Sequence, residues 1–151
     1  MSATEKILIV SGPTTLLSTE LNSLANNALA IVSSAFDNTQ AATGDGSLAC
    51  YLELLVTFGT APTANTGISI WFLRTVDGGT NFEDGGTSLT PVRGFDTSIG
   101  VAASTSAQRL IKEVKLPAGK FKLLLKNDGT GQAFAASGNT IRMTTYTYQA
   151  V

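Results

Sequence analysis

Residues Leu116–Phe134 read LPAGKFKLLLKNDGTGQAF, and this stretch decides the fold class. From Lys120 to Lys126 the side chains alternate, with Phe121, Leu123 and Leu125 on one face and Lys120, Lys122, Leu124 and Lys126 on the other. A period of two is the mark of a half-buried β-strand. Pro117-Ala118-Gly119 stands before the run and Asn127-Asp128-Gly129-Thr130-Gly131 after it. Those residues tolerate the positive φ at which an antiparallel chain reverses. The stretch therefore predicts a turn, a strand whose Phe121, Leu123 and Leu125 enter a core, and the start of a return strand.

Working outward, Leu48–Phe58 places Leu52, Leu54, Val56 and Phe58 on one face, opposite Tyr51, Glu53, Leu55 and Thr57, as a central strand would. In Ile68–Thr75 both faces are apolar, Ile68, Ile70 and Phe72 on one and Trp71 and Leu73 on the other. Either both sides of that strand are covered, or a partner covers one. Further strands are expected around Leu89–Phe95, Gln108–Leu116, Gln132–Ala136 and Thr140–Tyr148. Eight or nine short strands separated by turn signals predict an all-β fold, an antiparallel β-sandwich of jelly-roll-like type. Residues 39–151 form this sandwich within a single domain. Residues 1–38 read as a less regular N-terminal arm that packs on the domain or on a neighbour. Lys6–Val10 and Ala28–Ser34 suggest short strands there, with a brief helical turn capped by Ser18 or Thr19 between them. On this reading Met1–Ser18 is dispensable for folding, and its aliphatic residues Ile7, Leu8, Leu16 and Leu17 join Leu55, Trp71 and Leu73 as candidate interface residues.

A length of 151 residues suffices for one self-supporting core. With 43% hydrophobic and only 14% charged residues, the chain has an unusually uncharged surface. The formal charge of −1 supplies no field for nucleic acid or anionic lipid, so neither is an expected partner. Five of its lysines cluster between Lys112 and Lys126, where they fit the solvent faces of adjacent strands better than a basic binding patch. The single cysteine, Cys50, leaves no partner for an intrachain disulfide and reads as a buried, inert thiol. No run approaches the ~20 apolar residues of a membrane helix, and synthesis and folding in a cytoplasm are expected.

There is no histidine, which removes the commonest general base, the commonest metal ligand and any Ser-His or Cys-His nucleophile. Most acids lie in turns or beside lysines, so no pair suggests carboxylate catalysis; the chain reads as a non-enzyme that needs no cofactor. The loop Asp77-Gly78-Gly79-Thr80-Asn81-Phe82-Glu83-Asp84-Gly85 offers oxygen ligands, with Asp77, Asn81 and Asp84 as weak metal candidates, but the EF-hand order is missing. Thr75–Phe82 resembles the Asp-box hairpin of sialidases and related β-proteins. There Asp and Gly fix the turn and an aromatic packs below, although Asn81 stands where that motif usually has Thr. A structural turn is the better reading. Trp71 with Tyr51, Tyr146 and Tyr148 invites comparison with a sugar-stacking platform, but Trp71 lies in an apolar strand and suits packing.

Three blocks taken together resemble a widespread family of small tailed-phage and prophage proteins: Leu21-Asn22-Ser23-Leu24-Ala25-Asn26-Asn27, the segment Leu52–Asp84 containing GTAPTANTGISIWFLRTVDGGTNFEDG, and LPAGKFKLLLKNDGTGQAFAASGNTIRM near the end. The resemblance covers most of the chain, matching least over Leu89–Thr105. It implies a β-sandwich virion component, a head decoration or cement protein bound to the major capsid protein and located on the capsid surface. A homo-oligomer, with a trimer as one form, follows by analogy with other decoration proteins. Two other readings stay open: a carbohydrate-binding β-sandwich module on a virion or fibre, and a tail or head-completion subunit.

Overall fold

The computed structural model describes residues 5–39 and 46–150, with side chains over 12–39 and 46–148. Among the described residues, nine strands form two antiparallel sheets. They are β1 (Glu5–Leu17), β2 (Leu29–Ile31), β3 (Phe36–Asn38), β4 (Ala49–Val56), β5 (Gly67–Arg74), β6 (Thr97–Gly100), β7 (Gln108–Lys115), β8 (Gly119–Asp128) and β9 (Thr140–Ala150). Sheet A has the order β1-β9-β4-β7. Sheet B has the order β2-β8-β5-β6, and β3 follows β2 along the same edge of β8. Counting β2 and β3 as one interrupted strand, the chain crosses between sheets at every step except β5 to β6, which is the double Greek key of an eight-stranded jelly roll.

The inward positions of both sheets meet in one core. Leu52, Leu54 and Val56 of β4, Ile68, Ile70 and Phe72 of β5, Phe121, Leu123 and Leu125 of β8, and Ile141 and Met143 of β9 are all buried there. The alternation read in Lys120–Lys126 thus points where expected, with Phe121 at 0% and Leu123 at 1% exposure. Burying such a side chain contributes roughly 1.5–3 kcal/mol.

The expected N-terminal arm is instead part of the sandwich. β1 pairs with β9 from Glu5↔Ala150 to Leu17↔Ile141, and Leu17, Leu21 and Leu24 are buried in the main core. Removing Met1–Ser18 would strip a sheet edge and a core leucine, so that segment is not dispensable for the fold. The reason lies in β1's register, which shifts three times, between Ile9/Ser11, Ser11/Thr14 and Thr15/Leu17. Bulges break the period of two that marks a strand in sequence. The helical turn is a single 3₁₀ turn at Thr19–Leu21, and Ser18 caps it with no side-chain bond.

Two expected strands are not strands. Leu89–Phe95 makes only the Gly86↔Leu89 bridge, and instead runs across the outer face of sheet B. Gln132–Ala136 makes only the Phe58↔Phe134 bridge. Its backbone is held across the end of the sandwich, with the N–H groups of Phe134 and Ala135 donating to the carbonyls of Leu24 and Thr57.

That end is closed by asparagines. Asn127, fully buried, donates from its amide to the carbonyls of Leu24 (3.0 Å) and Gln132 (2.8 Å) and accepts from the Thr130 hydroxyl (2.5 Å). Asn139 accepts from the Thr57 N–H and donates to Ala135 O and Asn22 Oδ1. Asn26 and Asn27 accept from the N–H groups of Gly131 and Gly129. Buried amides are tolerated because each polar atom is satisfied.

Candidate functional site

The acidic loop is a structural turn. The Asp77 carboxylate accepts from the N–H groups of Thr80 (3.0 Å) and Asn81 (2.9 Å), the Thr75 hydroxyl (2.7 Å) and the Asn81 amide (2.8 Å). Those bonds, the Asn81 N–H foremost, hold its carboxyl well below the usual range. Asp84 stands exposed and outside this set of hydrogen bonds. Among the described residues, no three His, Cys, Asp or Glu side chains group to hold a metal. Phe82, after the turn, packs on Trp71, Leu73 and Leu124 as the aromatic of an Asp-box hairpin would. Cys50 is fully buried, and burial pushes its thiol up to about 12, so it has no thiolate chemistry at neutral pH.

Trp71 and Leu73 offer no interface, a correction to their reading as candidates. They lie on the outer face of sheet B at 3% and 1% exposure, in a second cluster with Leu124, Leu29, Ile31 and Phe82. The chain's own segment 75–96 seals that cluster. The Trp71 indole donates to Arg93 O, Phe95 meets the Trp71 ring edge-on at 6.2 Å, and the Phe72 N–H donates to the Asp96 carboxylate. Arg93 locks the seal, bonding Glu83 (3.0 Å), Asp96 (2.9 Å) and the Phe72 carbonyl (2.8 Å). Burial opposes the Arg93 charge, but Asp96 and Glu83 outweigh it and hold its pKa up. The lysines of β8 are absorbed locally: Lys120 faces Asp37 at 3.6 Å, Lys126 faces Asp128 at 3.0 Å, and Lys122 lies over the Phe82 ring.

Of the other interface candidates, Leu17 is core and Leu16 is half-buried against it. Ile7 and Leu8 lie in β1, but their side chains fall outside the described residues. Leu55 is half-buried on the outer face of sheet A, between Arg109 and Thr140.

That outer face is not covered by segment 75–96. Register sets its rows: Glu53 lies between Ile111 and Arg142, Tyr51 between Glu113 and Thr144, and Ala49 between Lys115 and Tyr146. Tyr51 stacks on Tyr146 at 5.1 Å, and Tyr148 meets Tyr146 edge-on. Tyr146 is buried beneath them and its hydroxyl donates to Glu113, a bond that raises the phenol's pKa. Ile111, Tyr148 and Tyr51 remain exposed at 64%, 51% and 37%. Glu53 pairs with Arg109 at 2.7 Å. Between them lies a shallow trough of about 410 Å³ lined by Pro13, Tyr51, Glu53, Ile111, Arg142 and Thr144. The face holds aromatic and aliphatic surface with fixed charges, an arrangement suited to binding.

Sequence reasoning grouped the tyrosines with Trp71, which belongs to the other sheet. It passed over Ile111, Glu53 and Arg142. The signal was present: an isoleucine at an outward position of an otherwise charged strand, two residues from each neighbour of its face.

No family model matches the chain, and no curated protein matches it. Among solved structures, the chain is similar to a CBM35 from Cellvibrio japonicus Abf62. Identity is 14% over 97% of both chains, with a TM-score of 0.40.

Proposed function

We propose that this protein is a non-catalytic structural component of a tailed-phage particle, a decoration or cement subunit that docks on the major capsid protein through the outer face of sheet A. The observation that carries the reading is the asymmetry of the two outer faces. One is covered by the chain's own segment 75–96, which exposes Val76, Leu89, Val92 and Phe95 from irregular backbone, while the other presents Tyr51, Ile111 and Tyr148 directly on a hydrogen-bonded sheet. Contiguous apolar surface on a stable domain marks a contact surface. A lattice of identical sites multiplies a modest contact by avidity, so a weakly charged face of this size serves.

The measurement is copy number: mass-spectrometric stoichiometry against the shell protein in purified particles. Near-equal amounts support decoration, a few dozen copies or fewer favour a tail or head-completion subunit, and absence overturns the reading. Ile111→Asp should abolish rebinding to stripped particles without changing the fold, and native mass spectrometry of the free protein reads its oligomeric state, a trimer being one form. A second reading, a carbohydrate-binding module, is favoured by Tyr51 beside Glu53 and Arg142 in the trough. Selective retention on a glycan array, lost in Tyr51→Ala, would replace the first reading with this one.

A further inference from the structure

We propose that the trough on sheet A receives the carboxylate of an Asp or Glu side chain from the docked protein, with Arg142 as its counter-ion. This rests on the docking reading above and specifies the chemistry at its centre.

Arg142 faces Glu53 directly across the β4–β9 ladder, the position at which opposite charges ordinarily pair. The pair is not made. Glu53 turns to Arg109 on β7, and Arg142 has no ion pair or side-chain hydrogen bond among the described residues. Its Nε is closed off from solvent without an acceptor, and so is the Thr140 hydroxyl two residues earlier on the same face of β9. Among the described residues these are the two buried side-chain polar atoms left unsatisfied. A guanidinium without a counter-ion is costly and forms a strong bond once a charged acceptor reaches it where it lines the trough.

The surrounding charges favour an anion of one particular size. Of the two charged residues that line the trough, Glu53 is paired with Arg109, which leaves the Arg142 guanidinium as the one without a counter-ion among the described residues. Tyr51, Ile111 and Pro13 supply apolar walls, which a docked protein would cover, strengthening a guanidinium–carboxylate contact. A nucleic-acid or other polyanionic ligand would meet Glu53, directly beside Arg142 across the β4–β9 ladder, and Glu113 in the next row. One carboxylate on a protein side chain matches both the charge and the apolar collar, and Arg binds it with a planar fork that Lys lacks.

The test follows the Arg142 Nε–Hε resonance of the folded protein, assigned by its loss in Arg142→Lys. The probes are a blocked Ala-Glu-Ala peptide, its Ala-Gln-Ala counterpart and glucuronate. The expected result is a saturable downfield shift with the Glu peptide that is absent with the Gln peptide. Arg142→Lys should weaken docking to stripped particles by about tenfold while its backbone spectrum stays that of the parent. No shift with the Glu peptide, or equal shifts with both peptides, overturns the proposal, and tighter binding of glucuronate transfers the site to a sugar acid and overturns it too. If Ile111→Asp still docks, the docking reading fails. If Ile111→Asp abolishes docking while Arg142→Lys leaves it unchanged, only the carboxylate proposal falls.

Discussion

Replacing Asn127 by Ala removes the staple that joins the turn after β1 to the loop after β8. Two amide hydrogen bonds disappear, to the carbonyls of Leu24 and Gln132, together with the acceptor for the Thr130 hydroxyl. None of the partners is left bare. Leu24 O still accepts from the Phe134 N–H, and the Thr130 hydroxyl can donate to Gln132 O, at 2.9 Å. The loss is therefore that of two to three net hydrogen bonds with no orphaned carbonyl, about 2–3 kcal/mol. For a chain of this length that lowers Tm by roughly 5–10 °C. Asn127→Asp keeps the shape but sets a carboxylate oxygen against those two carbonyls. At neutral pH it should cost more, about 4 kcal/mol. Burial raises the pKa of an acid, so the folded state of this variant binds its proton more tightly than the unfolded state, and the deficit should shrink as pH falls. Denaturant unfolding of the three proteins at two pH values measures all of this. In Asn127→Ala, amide exchange should accelerate first at Ser23 and Asn27, whose N–H groups donate to Ala135 O and Asn127 O. A loss below about 1 kcal/mol in Asn127→Ala, or an Asp variant with no pH dependence of its deficit, would refute the argument that the amide bridges two segments.

Gly12 has φ +134°, and a Cβ there would sit 2.7 Å from Thr144 Cα and 2.9 Å from Met143 O. Gly12→Ala should push β1 off β9 and cost about 3 kcal/mol by denaturant unfolding, with exchange protection lost along β1. Asp77 has a depressed folded pKa, so its contribution is complete above the range in which a free Asp titrates and is lost as pH falls toward the folded value. Asp77→Asn should thus lower Tm at about pH 6, and the difference should shrink progressively as pH falls below about 4; a difference independent of pH contradicts the carboxylate's role. Arg93→Ala unlocks the segment over Trp71, the chain's single tryptophan. Its emission should shift red and become quenchable by acrylamide, with about 2 kcal/mol lost, whereas an unchanged spectrum would mean that the seal holds without the network.

Legibility in the sequence follows the regularity of the backbone. β4, β5, β8 and β9 are paired on both sides and run without a bulge over Leu52–Val56 or Phe121–Leu125, so their alternation survives intact. β1 slips register three times, which hid a strand in what looked like an arm. Leu89–Phe95 has strand-like residues, yet Leu89, Val92 and Phe95 are exposed, and the segment is held over sheet B by the Trp71 indole and, just beyond it, the Phe72 N–H rather than by strand pairing. The asparagines of Leu21–Asn27 and Asn127–Asn139 recur in two of the blocks that carried the phage resemblance. In space those two blocks bond to each other through Asn22, Asn26, Asn27, Asn127 and Asn139. The resemblance there rests on a fold-closing device. The open face was the least legible part, because Tyr51, Ile111 and Arg142 come from three strands and only the register places them together.

The edges of sheet A constrain how that face can be approached. Among the described residues β7 is unpaired along its outer side, a position at which strands of other chains add by backbone hydrogen bonding. It carries Arg109, Lys112, Glu113 and Lys115, four charges in eight residues, and most of its length is exposed. Charged edges resist strand addition, since an incoming strand would have to desolvate them. Ile111, the one large apolar residue exposed on this strand, points to the face rather than along the edge and lies in the same row as Glu53 and Arg142. The edge thus disfavours strand addition, and the docking proposed above would use the face, over the trough. Docking of this kind depends on side chains and not on backbone pairing, which is why single substitutions at Ile111 and Arg142 should decide it.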